Sequence, residues 1–135
     1  MLLDTCAVSE LRKPKPDAAV VAAIPTADLF LSVLSVSEIA KGIDLLADGK
    51  RKRELEAWLL ELERDYADRL LAVDLETAHI WGEITARLQK AGQALAAVDG
   101  LIAATALRHG LHLMTRNEPD FAGTGVLVVN PWTNP

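Results

Sequence analysis

A carboxylate stands where the first apolar run ends, in Met1-Leu2-Leu3-Asp4-Thr5, and two more acids open later segments. Glu38 lies in Val36-Ser37-Glu38-Ile39, and Asp99 in Ala97-Val98-Asp99-Gly100-Leu101-Ile102-Ala103-Ala104. A polar cluster, Thr115-Arg116-Asn117-Glu118-Pro119-Asp120, follows another apolar run, His112-Leu113-Met114. Acids at strand ends and helix starts converge at one edge of a parallel sheet, where α/β proteins bind ligands. Carboxylates gathered there repel one another unless they share protons or a cation. The chemistry this pattern points to is that of a divalent metal on oxygen ligands.

Each acid also has a simpler local reading. Ser35-Val36-Ser37-Glu38 matches a capping box, with Glu38 bonding back to the Ser35 amide. Asp99, near a helix start, complements the helix dipole, and Asp4 is placed to cap a helix over Ala7–Leu11. Asn117 and Asp120 lie in a Pro-containing loop, where polar residues are ordinary. What local roles leave unexplained is that these residues share one end of the expected sheet.

That sheet is read from the hydrophobic period. Met1–Leu3, Leu29–Leu31, Leu70–Val73, Leu111–Met114 and Val126–Val129 are short apolar runs bounded by polar or turn residues, as buried strands are. Between them Val36, Ile39, Ile43 and Leu46 recur at helical spacing, followed by Leu55, Trp58, Leu59 and Leu62. Two further stripes are Ala78, Trp81, Ile84, Thr85 and Leu88, then Leu101, Ile102, Thr105 and Ala106. Asp17 and Asp74 are expected N-caps, Gly49, Gly92 and Gly110 expected helix ends, and Pro14 and Pro16 confine residues 13–16 to a loop. Strands alternating with helices predict an α/β three-layer sandwich with a mostly parallel central sheet of four to five strands. The two consecutive helices between residues 35 and 67 form an antiparallel arm. No linker or repeat interrupts residues 1–135, so one domain is expected.

Composition narrows the partners. Half the residues are apolar, yet no uncharged run approaches the ~20 residues of a membrane span. Asp4 interrupts the N-terminus before a signal-peptide core forms, and Cys6 is the only cysteine, so a reducing cytoplasm is expected. A net charge of −5 argues against gripping nucleic acid by bulk electrostatics, but metal ions bridge an acidic site to phosphate. The dense basic run Lys50-Arg51-Lys52-Arg53 reads as a solvated helix start, with a looser cluster at Arg12, Lys13 and Lys15.

Other chemistries lack their residues. A phosphatase with a strand-end aspartate nucleophile needs a second acid two residues on, where Cys6 stands. A phosphate-accepting receiver needs adjacent acids and a late lysine, and the late strand leads instead into Thr115-Arg116-Asn117. No phosphate-cradling glycine loop follows the first strand. His79, His109 and His112 have no metal-ligand spacing with cysteine, and Cys6 reads as a small packing residue.

The whole chain resembles the PIN-domain ribonucleases, particularly the VapC and FitB type of toxin in bacterial toxin–antitoxin pairs. The resemblance rests on Leu2-Leu3-Asp4-Thr5 with Val8-Ser9-Glu10, on Ser35-Val36-Ser37-Glu38, and on Asp99 through Ala106. Thr115-Arg116-Asn117, Asp120-Phe121 and the ending Val129-Asn130-Pro131-Trp132 complete it. It implies a Mg²⁺- or Mn²⁺-dependent endoribonuclease of PIN-like fold that hydrolyses RNA phosphodiesters. It further implies inhibition by a cognate antitoxin and a homodimer or a heteromer with that antitoxin.

Carried over by position, Asp4, Glu38 and Asp99 are the acidic metal residues, with Asn117 in the place of a frequent fourth catalytic acid. Thr5 and Thr115 are supporting hydroxyls, and either Asn117 or Asp120 completes the rim. Cys6 replaces the asparagine usual after Asp-Thr, and Asn117 is neutral. That neutral residue leaves a second reading, a binding module of the same fold whose weakened acid cluster chiefly engages a protein partner or nucleic acid.

Overall fold

A computed structural model describes residues 1–24 and 28–133. Five short strands form one sheet: β1 (Leu2–Leu3), β2 (Phe30–Ser32), β3 (Leu70–Leu71), β4 (Leu113–Met114) and β5 (Val128–Val129). Their order is β3-β2-β1-β4-β5, and all four ladders are parallel. The chain winds outward from β1 to β3, then returns to place β4 on the other side of β1. This reversal opens a crevice at the carboxyl ends of β1 and β4, where a doubly wound sheet binds ligands.

Strand alternation sorts the core into two faces. Leu3, Leu31 and Met114 pack with Ala7, Val8, Val20, Ile39, Ile43 and Leu62 beneath α1 (Thr5–Arg12), α2 (Ala18–Ala23), α3 (Val33–Asp44) and α4 (Lys50–Asp65). Leu2 and Leu113 pack on the opposite side with Ile102, Ala103 and Ala106 of α6 (Ala97–Arg108). Outside α6 lies α5 (Leu75–Lys90), joined through Ile84, Leu88 and Ala104. The three-layer sandwich and the two-helix arm of α3 and α4 are as expected from the sequence.

Caps set most of the starts. Asp17 accepts from the Ala19 and Val20 amides, and Asp74 from the Thr77 amide and hydroxyl. Gly92 and Gly110 follow their helices with φ of +77° and +64°, a region that costs glycine little. Gly49 is a correction: it opens α4 as its N-cap instead of ending α3, which stops at Asp44. Lys50-Arg51-Lys52-Arg53 therefore forms the first turn of α4, against the helix dipole, with Lys50 facing Glu54 and Lys52 facing Asp48. Ala78 is exposed, so the buried stripe of α5 is set by Thr77, Ile84 and Leu88.

One close approach fixes α6. A Cβ on Gly100 would lie 3.0 Å from both Trp81 Nε1 and Leu95 Cδ2. Glycine at this position lets α6 settle against α5, and Asp99 is its neighbour in the chain.

Candidate active site

Asp4 leaves β1 and caps α1, which starts at Thr5 and not at Ala7. Its Oδ1 accepts from the Thr5 amide at 2.9 Å, and its Oδ2 from the Thr115 hydroxyl at 2.8 Å. Thr115 follows β4 and is fully buried, while Asp4 is 6% exposed. The Asn117 amide donates in turn to Thr115 Oγ1 at 3.1 Å, closing a local turn after β4. Cys6 is more than packing here. Its Sγ accepts from the Arg116 amide at 3.4 Å and lies 3.8 Å from Asp4 Oδ2, and burial pushes the thiol pKa up.

Glu38 reaches the site from α3. The capping box expected at Ser35–Glu38 does not form, because α3 begins three residues earlier with Ser32 as N-cap, accepting from the Leu34 amide at 3.0 Å. Glu38 is thereby moved into the helix, and its Oε1 accepts from the Thr5 hydroxyl at 2.7 Å. Thr5 thus serves both acids, its amide on Asp4 and its hydroxyl on Glu38.

Asp99 sits in the first turn of α6, half-buried. Burial, followed by the charges of Asp120, Asp4 and Glu38, pushes its pKa up from 3.8 to about 6. Asp120 lies in the 3₁₀ turn Glu118–Phe121 and bears on Asp99 more strongly than Asp4 or Glu38 does. Of the two candidates for the rim, Asp120 carries a charge that bears on Asp99, and Asn117 is neutral. Asn117 is exposed and contributes its backbone amide to the Thr115 bond.

Among the described residues, no three Asp, Glu, His or Cys side chains stand close enough to enclose an ion. Asp4, Glu38 and Asp99 therefore do not form a preformed three-carboxylate cage. The repulsion at Asp99 nonetheless marks a field that a cation relieves. Hydrated Mg²⁺ commonly keeps several waters and takes one or two carboxylates, so its binding does not require such a cage.

A second carboxylate had no role assigned from sequence. Glu10 is only 5% exposed; its Oε1 accepts from Trp132 Nε1 at 3.2 Å and from Lys13 Nζ at 3.1 Å, and its Oε2 from the Asp17 amide at 3.3 Å. The indole N–H and then the ammonium hold its pKa below the usual carboxylate range. Arg116 lies over the Trp132 ring at 5.0 Å, and its carbonyl accepts from Asn130 Nδ2 at 3.3 Å. The C-terminal segment is thereby fastened to the loop that carries Thr115 and Asn117. The one sequence signal for this was an acid on the apolar side of a short helix.

His79, His109 and His112 are exposed. No helix among the described residues is long and apolar enough to cross a membrane.

Residues 1–126 match the PIN domain family model. The chain is 38% identical over 139 aligned residues to toxin FitB of Neisseria gonorrhoeae, covering 98% of each chain. It is 35% identical over 136 residues to VapC ribonuclease Y4jK of Sinorhizobium fredii, covering 98% of this chain and 97% of that one. The crystal structure of FitAcB from Neisseria gonorrhoeae superposes with a TM-score of 0.88 at 38% identity, covering 98% of each chain. The chain belongs to the PIN domain family.

Proposed function

We propose that the protein is a metal-dependent endoribonuclease and the toxin of a toxin–antitoxin pair. The observation that carries this reading is that Asp120, Asp4 and Glu38 lie near enough to Asp99, at the carboxyl ends of the strands, for their charges to add to burial in raising its pKa. Relatives named as a toxin and as a VapC ribonuclease span nearly the whole chain and support it.

Asp4 and Asp99 hold a Mg²⁺ or Mn²⁺, directly or through water. When bound, the ion supplies Lewis acidity toward the scissile phosphate and toward water. Thr115 and the Thr5 amide fix the Asp4 rotamer, so its oxygens are oriented before substrate arrives. Glu38, steadied by the Thr5 hydroxyl, orients the attacking water in line with the leaving oxygen. Asp120 completes the rim.

The antitoxin meets the arm. Between α3 and α4 lies a groove of about 270 Å³ walled by Ala40, Ile43, Leu59 and Leu60 and edged by Asp44, Glu56 and Glu63. An amphipathic segment with basic flanks complements it, and a basic side chain from that segment reaches the acid cluster. The protein acts as a homodimer or as a heteromer with this partner.

The test is purified protein on mixed-sequence RNA with Mg²⁺, Mn²⁺ or EDTA. Cleavage that appears with metal and stops with EDTA is expected. A partner-binding protein that cuts no RNA under any of these conditions contradicts the reading.

A further inference from the structure

Beside the acid cluster, a cavity of about 400 Å³ opens between the α5–α6 connection and the turn after β4. Clefts that take small organic ligands run from roughly 300 to 1,000 Å³. Leu95 lines one wall, Pro119 and Ala122 another, and Asp99 and Asp120 bring the cavity up to the catalytic acids. Those carboxylates repel a free phosphate, and away from them Leu95, Pro119 and Ala122 offer surface for an uncharged group with apolar faces.

The cavity is already formed without a ligand. Arg87 Nη2 donates to the carbonyls of Gly123 at 2.8 Å and Thr124 at 3.3 Å, tying the turn to α5. Gly123, with φ of +79°, approaches α5 so closely that a Cβ there would lie 2.8 Å from Leu88 Cδ2. The same Cβ would lie 3.2 Å from Gln93 Oε1, so the Gln93 side chain reaches toward the turn that bears Ala122. Among the described residues no protein group hydrogen-bonds this side-chain amide, which keeps a donor and an acceptor for a ligand.

We propose that this cavity receives the nucleobase flanking the scissile phosphate and reads it through Gln93 and Asp120. The inference rests on the ribonuclease reading, since the phosphate at the acids sets which base reaches the cavity. Single-stranded RNA offers splayed bases that present flat apolar faces and hydrogen-bonding edges. Leu95, Pro119 and Ala122 cover the faces, and Gln93 Oε1 with the Asp120 carboxylate accepts from an exocyclic amino group. Adenine, cytosine and guanine carry such a group, and uracil does not.

The test uses adenosine, cytidine, guanosine and uridine, which lack phosphate and so report on the cavity apart from hydrolysis. Each is titrated into ¹⁵N-labelled protein. Saturable shifts of the Leu95 and Ala122 amides and the Gln93 side-chain amide are expected with an amino-bearing nucleoside. Binding of uridine is expected to be weaker by roughly fivefold or more. Ala94→Trp, which fills the cavity from an exposed position, and Gln93→Ala, which removes the amide, both abolish the discrimination. In mixed RNA the same two variants shift which nucleotide flanks the cuts.

Absence of saturable shifts with all four nucleosides overturns the cavity, and cut sites unchanged in both variants overturn it as well. Uridine binding as tightly as the others overturns the roles of Gln93 and Asp120. Wild-type protein that cuts RNA but shows no nucleoside shifts refutes the cavity alone. Protein that binds nucleosides there but cuts no RNA refutes the ribonuclease reading alone.

Discussion

The Thr115 hydroxyl and Asp4 Oδ2 meet at 2.8 Å, joining residues 111 positions apart across the crevice between β1 and β4. Both are buried, so the bond fixes the carboxylate where water does not compete for it. Thr115→Val keeps the shape and removes the donor. The expected loss is about 1–3 kcal/mol of stability and roughly tenfold in Mn²⁺ affinity, with Thr115→Ser restoring both. Thermal melts and Mn²⁺ titration check this. A valine variant that binds Mn²⁺ like wild type would separate Thr115 from the site.

Asp99 gives the site a pH signature. The folded carboxyl keeps its proton up to about pH 6, while the unfolded one releases it near 3.8. The folded state therefore binds more protons in that interval, and stability falls as pH rises through it. In EDTA at pH 7.5, Asp99→Asn is expected to melt about 3 °C above wild type, with little difference at pH 4. Added Mg²⁺ reverses the order, since only wild type gains the full binding stabilisation. An asparagine variant less stable than wild type in EDTA at pH 7.5 would mean that Asp99 is not under repulsion.

Gly100 controls Asp99 through packing. Gly100→Ala puts a methyl 3.0 Å from Trp81 Nε1 and Leu95 Cδ2, so these side chains or α6 must shift by a few tenths of an ångström. A loss of about 1–3 kcal/mol is expected, with weakened Mn²⁺ binding because Asp99 moves with the helix. Trp81→Phe in the same chain, which trims the indole at the contact, recovers part of both. Unchanged melting and metal affinity would place the slack elsewhere.

The fold and the sheet end that carries the candidate residues were legible in the sequence, and what was not has physical causes. Asp4 was readable because Leu2 and Leu3 are both buried and the acid interrupts them at once. The start of α3 was not, since Ser32 and Ser35 are both N-cap residues and Glu38, three positions after Ser35, favours the later start. Glu38 was assigned a local bond to Ser35, whereas its partner Thr5 lies 33 residues away. Asn117 and Asp120 were both candidates by position; Asn117 is neutral, and the 3₁₀ turn Glu118–Phe121 holds Asp120 where its charge bears on Asp99. Glu10 pairs with Trp132 over 122 residues, a relation that no local pattern carries.

The Glu10–Trp132 bond has its own titration. Its carboxyl pKa lies below the ordinary 4.5, so its stabilisation is present above that value and lost as pH falls through the lower folded one. Tryptophan fluorescence of wild type is expected to change in this acid window as the indole contact opens, and that of Glu10→Gln is not. At neutral pH the glutamine variant loses charge pairing to Lys13 and Arg116, and RNA cleavage is expected to fall by roughly tenfold. Cleavage at the wild-type rate would make the clamp irrelevant to the site.

The most direct measurement is RNA cleavage by the Asp4→Asn, Asp99→Asn double variant, with folding verified by circular dichroism and Mg²⁺ matched to wild type. If these two carboxylates hold the cation, the folded double variant cuts at least about 100-fold more slowly than wild type. A folded double variant that cleaves at the wild-type rate would contradict the assignment of the acid cluster as the catalytic site.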